Sequence, residues 1–245
     1  MSKIKKEIKL HEKIVKDYDK RHHYEFSKYY HHYWNNQIIK MTNADKNACV
    51  LDYGCGTGIL LEDLVKKYSQ VYGIDVSPDM IKRIKINNNN LKSINVTCGE
   101  NLPFKDNFFN VIFCRGSLHH VENLEKGISE IFRVLKNEGE LILSEPNNDS
   151  LILRIPRKFY VKHSDHFDHE HHALESKSLI KLLENKKFEF KKLKRFVFFA
   201  FPIGGLSDLM PLVKFLIIID NILSKIFFIN RQSWHMIIRV KKNDK

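Results

Sequence analysis

Apolar and polar positions along the chain follow two different patterns. Short apolar runs, each suited to a buried strand of a parallel sheet, are separated by stretches in which apolar residues recur at helical spacing. Strands that alternate with helices in this way predict a doubly wound α/β sheet. The predicted strands are 48–53, 71–74, 94–98, 110–114 and 140–143, and the predicted helices include 59–68 and 124–136.

Three glycines at alternate positions, Gly54, Gly56 and Gly58, follow the first predicted strand and precede the first of these helices. Backbone can approach a ligand closely at glycine because no Cβ intervenes, so this corner predicts a binding site. The spacing is G-x-G-x-G, whereas the dinucleotide fingerprint places its last glycine one residue later. Asp52 precedes the turn and presents a carboxylate, which favours a ligand with an ammonium or sulfonium group over a phosphate-rich one.

The stretch 50–61, VLDYGCGTGILL, resembles motif I of the class I S-adenosylmethionine-dependent methyltransferases, and the resemblance continues in order over residues 14–195. It implies a Rossmann-like sheet of seven strands, of which the last, at 233–240, runs antiparallel. It also implies an N-terminal helical lid at 1–40, followed by a methyltransferase domain at 41–245. S-adenosyl-L-methionine is the implied cofactor, and S-adenosyl-L-homocysteine is the product.

The second predicted strand ends at Asp75, 17 residues beyond Gly58, where a carboxylate can accept hydrogen bonds from both ribose hydroxyls. Ser77 then begins a helix as its capping residue. The resemblance implies that Val76 and Met80 flank the adenine.

After the third strand, the family carries an aspartate that hydrogen-bonds the adenine amino group, and this chain has Cys98 at that position. Either Glu100 takes over the role, or the Gly99 backbone and packing hold the adenine. We expect backbone and packing.

The segment 115–121, RGSLHHV, leaves the carboxyl end of the fourth strand, where open α/β sheets bind ligands. Its Leu-His-His-Val stretch is similar to the stretch found at this point in small-molecule methyltransferases, among them the quinone-biosynthesis C-methyltransferases. We expect His119 to face the site as a general base, with His120 as the next candidate, and Arg115 to lie with the cofactor-binding residues. A Tyr-Asp pair in the implied lid makes Tyr18 a candidate contact for the methionine end of the cofactor.

The stretch 163–172 is rich in histidine and acidic residues, which are metal-ligand types. The alternative interpretation is a polar connection before a helix at 175–185, which in the family borders the substrate pocket. We favour the connection, with His171 or His172 lining the pocket, and expect no metal.

Residues 206–229 form an apolar segment between the last two predicted strands. On a helical wheel its polar residues fill one stripe, and the apolar remainder is wider than burial on one face requires. The excess predicts an oligomer interface, a membrane surface or a cover over a lipid-like substrate. We expect Leu216 and Ile217 to belong to this outward surface.

The formal net charge of +12 brings nucleic acid and anionic membranes into consideration as partners. The lysines are dispersed, however, and the stretch 145–148, EPNN, differs from the Asn-Pro-Pro-Tyr type of the methylases of nucleic-acid amino groups. Four cysteines on or beside predicted strands favour buried free thiols. A polar N-terminus and the lack of an apolar run of about 18 residues lead us to expect a cytoplasmic protein, with peripheral membrane contact left open.

The sequence therefore predicts a methyltransferase that acts on a small acceptor, hydrophobic or lipid-linked. Two alternatives remain open at this point. One is an RNA methyltransferase, and the other is a non-catalytic protein that binds the cofactor.

Overall fold

The computed structural model describes residues 8–9, 25–153, 174–198 and 210–243. Within these ranges seven strands form one sheet, and helices pack on both of its faces. The strands are β1 (Cys49–Tyr53), β2 (Gln70–Asp75), β3 (Leu91–Val96), β4 (Phe109–Arg115), β5 (Leu135–Pro146), β6 (Phe188–Phe196) and β7 (His235–Lys242). The helices are α1 (Glu25–Ile39), α2 (Leu61–Lys67), α3 (Pro78–Ile81), α4 (Leu124–Val134), α5 (Ser176–Asn185), α6 (Met210–Leu223) and α7 (Phe227–Asn230), with a 3₁₀ turn at Leu118–His120.

The sheet has the strand order β3-β2-β1-β4-β5-β7-β6. β1 pairs in parallel with β2 and β4, and β5 extends the parallel run beyond β4. β7 lies between β5 and β6 and runs antiparallel to both. This confirms the predicted doubly wound fold with an antiparallel last strand.

The direction in which the chain crosses the sheet reverses between β1 and β4. From β1 the chain moves outward to β2 and β3, and it then returns across the sheet to β4. Such a reversal opens a crevice outside the carboxyl ends of the two strands, where ligands of open α/β sheets bind. The glycine turn follows β1 and the segment 116–121 follows β4, so the fold brings both to this crevice.

Alternate residues of the central strands face opposite core layers. In β1, Leu51 and Tyr53 belong to the layer that includes α4 and α5, whereas Val50 belongs to the layer that includes α1 and α2. The alternation follows from the two-residue period of a strand. Because Asp52 shares the parity of Val50, its side chain lies on the α1 side of the sheet.

α1 is part of the core and also supports α6. Tyr30 and Ile38 are buried in the layer on this face of the sheet. Leu216 and Ile217 of α6 pack against Tyr33 and are buried as well. The expectation that these two residues belong to an outward surface is therefore wrong, because α1 packs against this side of α6.

Some element bounds differ from those predicted. Ser77 caps α3 as expected, since its Oγ accepts a hydrogen bond from Met80 N at 3.3 Å. The helix is short, however, with only four residues. β3 and β5 begin earlier than predicted, at Leu91 and Leu135, because pairing with the neighbouring strands extends beyond the apolar runs.

Several predictions concern residues outside the described ranges. These are Tyr18 and the stretch 163–172 with His171 and His172. The proposed division between a lid at 1–40 and a domain at 41–245 also stays a prediction. None of the described helices combines the length and the apolar character needed to cross a membrane.

Candidate active site

The loop after β1 depends on glycine for its course. Gly54 N and Cys55 N both donate to Ile74 O, at 2.9 and 2.8 Å, which turns the chain sharply over the end of β2. The three glycines of the loop have φ values of 78°, 52° and 88°, in a region that residues with a Cβ rarely adopt. Any other residue would strain this turn.

The loops after β1 and β4 form a cradle at the crevice. A Cβ built on Gly54 would lie 2.3 Å from Ser117 Cβ, and Ser117 Oγ donates to Tyr53 O at 2.6 Å, so the two loops pack together. By contrast, a Cβ built on Gly56 or Gly116 would meet no heavy atom within 4 Å among the described residues. Backbone therefore borders an open space at this point, as close binding of a ligand requires.

Asp75 links the glycine loop to the start of α3. Its Oδ2 accepts from Gly56 N at 2.8 Å, and its Oδ1 accepts from Ser77 N at 2.8 Å. A carboxylate offers about four lone-pair positions, so each oxygen can accept one further hydrogen bond. The predicted pairing with two ribose hydroxyls is thus compatible with the bonds already formed.

Asp52 is a buried carboxylate. Its side chain is only 1% exposed, and within the described structure neither oxygen has a partner. Burial raises the pKa of Asp52 to about 8, although the charge of Arg115 opposes the rise. An isolated buried charge is costly, so a cationic ligand beside this carboxylate would be stabilised. This fits the predicted ammonium group.

Residues of α1 lie over the same region. The guanidinium carbon of Arg115 is 4.2 Å from the ring centroid of Trp34, and Arg115 Nη2 contacts His31 Nδ1. The indole N–H of Trp34 donates to Ser144 Oγ at 2.8 Å. α1 thus covers the carboxyl ends of β4 and β5, next to Asp52. Neither His31 nor Trp34 was among the residues predicted for the site.

His119 forms a buried pair with Glu145. His119 Nδ1 lies 2.5 Å from Glu145 Oε2, and Glu145 Oε1 accepts from Leu118 N at 2.9 Å. Glu145 is fully buried, and the ring of His119 is 4.0 Å, centroid to centroid, from that of His120. A carboxylate that accepts Nδ1–H fixes the tautomer in which Nε2 carries the lone pair. Sequence reasoning missed Glu145, although an acid at the carboxyl end of β5 is the signal that could have revealed it.

The residues predicted to lie around the adenine differ in their contacts and in their burial. Glu100 Oε1 accepts from Asn123 N, the capping residue of α4, at 2.7 Å, so Glu100 has a structural role. A Cβ on Gly99 would lie 1.7 Å from Tyr53 Oη, so only glycine fits there. Met80 is buried and Val76 is half-buried. Their contacts with adenine stay predictions.

No group of three or more potential metal ligands occurs among the described residues. The histidine-rich stretch 163–172 lies outside them.

The sequence profile of the family described as "Methyltransferase domain" matches residues 51–143. The demethylmenaquinone methyltransferase of Bacillus pumilus is 31% identical over 157 residues, which are 60% of this chain and 67% of that protein. An uncharacterized protein of Methanocaldococcus jannaschii is 39% identical over 115 residues, 47% of this chain and 48% of its own length. The chain thus spans between about a third and two thirds of the length of the curated relatives it matches.

Solved structures show the same fold. A methyltransferase of Thermotoga maritima, described as a possible histamine N-methyltransferase, has a TM-score of 0.64 and 17% identity, covering 96% of this chain and 99% of its own. Phosphoethanolamine N-methyltransferase 2 of Haemonchus contortus, in complex with S-adenosyl-L-methionine, has a TM-score of 0.64 and 17% identity, covering 86% of this chain and 52% of its own.

The fold and the cradle are typical of nucleoside-binding α/β proteins, and the comparisons identify the family. The chain belongs to the class I S-adenosylmethionine-dependent methyltransferases. The predicted family and its cofactor are therefore confirmed.

Proposed function

We propose that this protein transfers the methyl group of S-adenosylmethionine to a small acceptor that is hydrophobic or lipid-linked. The observation that carries the proposal is the junction between the glycine loop and the His119 segment. Ser117 Oγ donates to Tyr53 O at 2.6 Å, and the His119–Glu145 pair begins two residues later. The loop that would hold the cofactor and the candidate base therefore lie in adjoining segments, which supports the proposal.

Four groups of this chain would hold the cofactor. Asp52 would accept the ammonium group of the methionine moiety, Asp75 the ribose hydroxyls, and the backbone of the glycine loop would follow the chain between them. Met80 would pack on the adenine. When bound, the cofactor supplies an electrophilic methyl group on a sulfonium that leaves as a neutral thioether.

The protein's main contribution is alignment of the acceptor with this methyl group, which can supply about 7–11 kcal/mol. If the acceptor must lose a proton, His119 Nε2 takes it, and a positioned base adds roughly 10²–10⁴-fold in rate. Glu145 Oε2, 2.5 Å from Nδ1, holds the ring and stabilises the imidazolium that forms.

Two observations support a hydrophobic acceptor. Several relatives at 31% identity are named demethylmenaquinone methyltransferases. The exposed side of α6 is also apolar, with Phe215 and Ile218 both more than half exposed. By contrast, no described feature specifically favours RNA.

The test is methyl transfer from isotope-labelled S-adenosylmethionine into a cell extract that is then separated into apolar, polar and RNA fractions. We expect the label in the apolar fraction and formation of S-adenosylhomocysteine. His119→Ala should reduce turnover far more than it reduces affinity for S-adenosylhomocysteine. Label in RNA, or cofactor binding without turnover, would overturn the proposal in favour of one of the two alternatives.

A further inference from the structure

We propose that the exposed side of α6, together with α7 and residues 151–152, forms a docking surface for an anionic lipid bilayer. We call this surface the apolar patch. The inference goes beyond the proposed function, because it concerns where the protein lies and not which reaction it performs.

α6 directs its apolar side chains both toward and away from the protein. Phe215, Ile218 and Ile222 are 58%, 59% and 57% exposed and recur at i, i+3 and i+7, so they form one stripe. Leu216 and Ile217 lie on the opposite side, buried against α1. The exposed stripe is therefore surplus to what the core requires.

The acidic residue of α6, Asp220, is buried, whereas charged residues of a surface helix usually face water. Asp220 is only 1% exposed. Burial, and after it the charge of Asp220, raises the pKa of Tyr33 on α1 to about 12. A helix that served only as a water-facing cover would direct Asp220 outward and the apolar stripe inward. This orientation indicates that the outer side of α6 meets an apolar environment.

The patch extends beyond α6. Phe227 and Phe228 of α7 are 72% and 80% exposed, and Leu151 and Ile152 are each 68% exposed. Gln232 Oε1 accepts from Ser150 Oγ and Ile152 N, at 3.0 and 3.2 Å, and so holds residues 150–152 close to the end of α7. Nine of the twelve large hydrophobic residues that are exposed in the described structure lie in 151–152 and 212–228. Apolar exposure this concentrated marks an interaction site.

The charges around the apolar patch indicate that its partner is anionic. Lys214, Lys225 and Arg231 are exposed on the same segments. Among the described residues 210–232, the one acidic side chain is the buried Asp220. Apolar side chains whose only exposed charged neighbours within 210–232 are cations complement a bilayer with anionic headgroups, in which the helices lie parallel to the surface.

A second copy of this chain fits the patch less well. A two-fold interface would bring the same cations of both subunits together, in chains that each carry a net charge of +12. Juxtaposed like charges oppose association, whereas anionic headgroups neutralise them.

The test is flotation of the full chain with vesicles of phosphatidylcholine alone or mixed with phosphatidylglycerol. We expect flotation with the mixed vesicles only, weakened by added salt. Phe227→Glu combined with Phe228→Glu should abolish it, and Lys214→Ala with Lys225→Ala should weaken partitioning about fivefold for each cation removed. Val96→Glu, which adds one glutamate on an exposed apolar residue of β3, is the control for charge outside the patch and should float like the wild type.

Folding and the proposed function are checked separately, by thermal unfolding and by calorimetry with S-adenosylhomocysteine, neither of which the patch variants should change. Absence of flotation with mixed vesicles would overturn the proposal. So would flotation that Val96→Glu reduces as much as the double phenylalanine variant does. A dimer that the phenylalanine variant splits, without vesicle binding, would assign the patch to a second copy instead.

Discussion

His119 Nδ1 lies 2.5 Å from Glu145 Oε2, and this contact joins the segment after β4 to the end of β5. Glu145 is fully buried and also accepts from Leu118 N, so its position is fixed by backbone as well as by the imidazole. A buried acid in this place sets which nitrogen of His119 carries the proton.

Glu145→Gln should therefore lower kcat by about 10²–10⁴-fold, the value of a positioned base. The carbonyl oxygen of the glutamine can still accept a hydrogen bond from Leu118 N. Its amide N–H, however, faces His119 Nδ1 and favours the tautomer in which Nδ1, and not Nε2, carries the lone pair. The pH–rate profile should change its acid limb, while KM for the cofactor stays constant. Glu125→Gln, an exposed acid of α4, is the control. A variant with normal kcat and an unchanged profile would reduce Glu145 to a structural role.

The stability of the cofactor-free protein should depend on the ionisation of Asp52. Its pKa of about 8 in the folded protein lies above the ordinary 3.8, so the native state binds the extra proton between these values. The contribution of Asp52 to the free energy of unfolding is therefore greatest below pH 3.8. It falls by about 1.4 kcal/mol per pH unit from there up to about pH 8. Asp52→Asn should remove that slope in denaturant unfolding followed over pH. Glu62→Gln, an exposed acid of α2, should keep it.

Cofactor binding should release a proton at neutral pH. If the ammonium group of the ligand pairs with Asp52, binding favours the ionised carboxylate and drives its proton off below a pKa of about 8. Calorimetry with S-adenosylhomocysteine in two buffers of different ionisation enthalpy measures this release. Affinity should rise with pH up to about 8 in the wild type and lose this dependence in Asp52→Asn. Equal pH dependence in both proteins would exclude the pairing.

Asp75→Ala should weaken cofactor binding by about 1.5–3 kcal/mol, since hydrogen bonds to a charged group are lost. The same change also removes the acceptor for Gly56 N and Ser77 N, so the cofactor-free protein should lose about 1–3 kcal/mol of stability. Calorimetry and denaturant unfolding separate the two effects. Asp79→Ala, on the neighbouring helix and 41% exposed, should change neither quantity much. An unaltered dissociation constant would mean that Asp75 does not hold the ribose.

Alanine at Gly54 and at Gly56 should have different consequences. Both positions have positive φ, which costs an alanine about 1–2 kcal/mol. At Gly54 the new Cβ also collides with Ser117, so stability should fall by about a further 1–3 kcal/mol. At Gly56 the Cβ enters open space, so Gly56→Ala should fold but lose affinity for S-adenosylhomocysteine. Unfolding curves and binding isotherms of the two variants decide this, and normal binding by Gly56→Ala would argue against the cradle.

The sequence determined the fold because its information is local. Short apolar runs and the 3.6-residue period are visible within short windows, and they indicated the strands and helices from 48 to 143 before any contact was known. The glycine turn, Asp52 and Asp75 could be recognised for the same reason, since each lies at a fixed offset from the end of a strand.

The tertiary structure decided whatever depends on residues far apart in the chain. Glu145 is 26 residues from His119 and reaches it only because β4 and β5 pair. The outward side of α6 was likewise undetermined, because both sides of that helix are apolar. Packing against α1 turned Leu216 and Ile217 inward and left Phe215 and Ile218 exposed. A helix's periodicity shows that it has sides, but only the neighbour it packs against determines which side is buried.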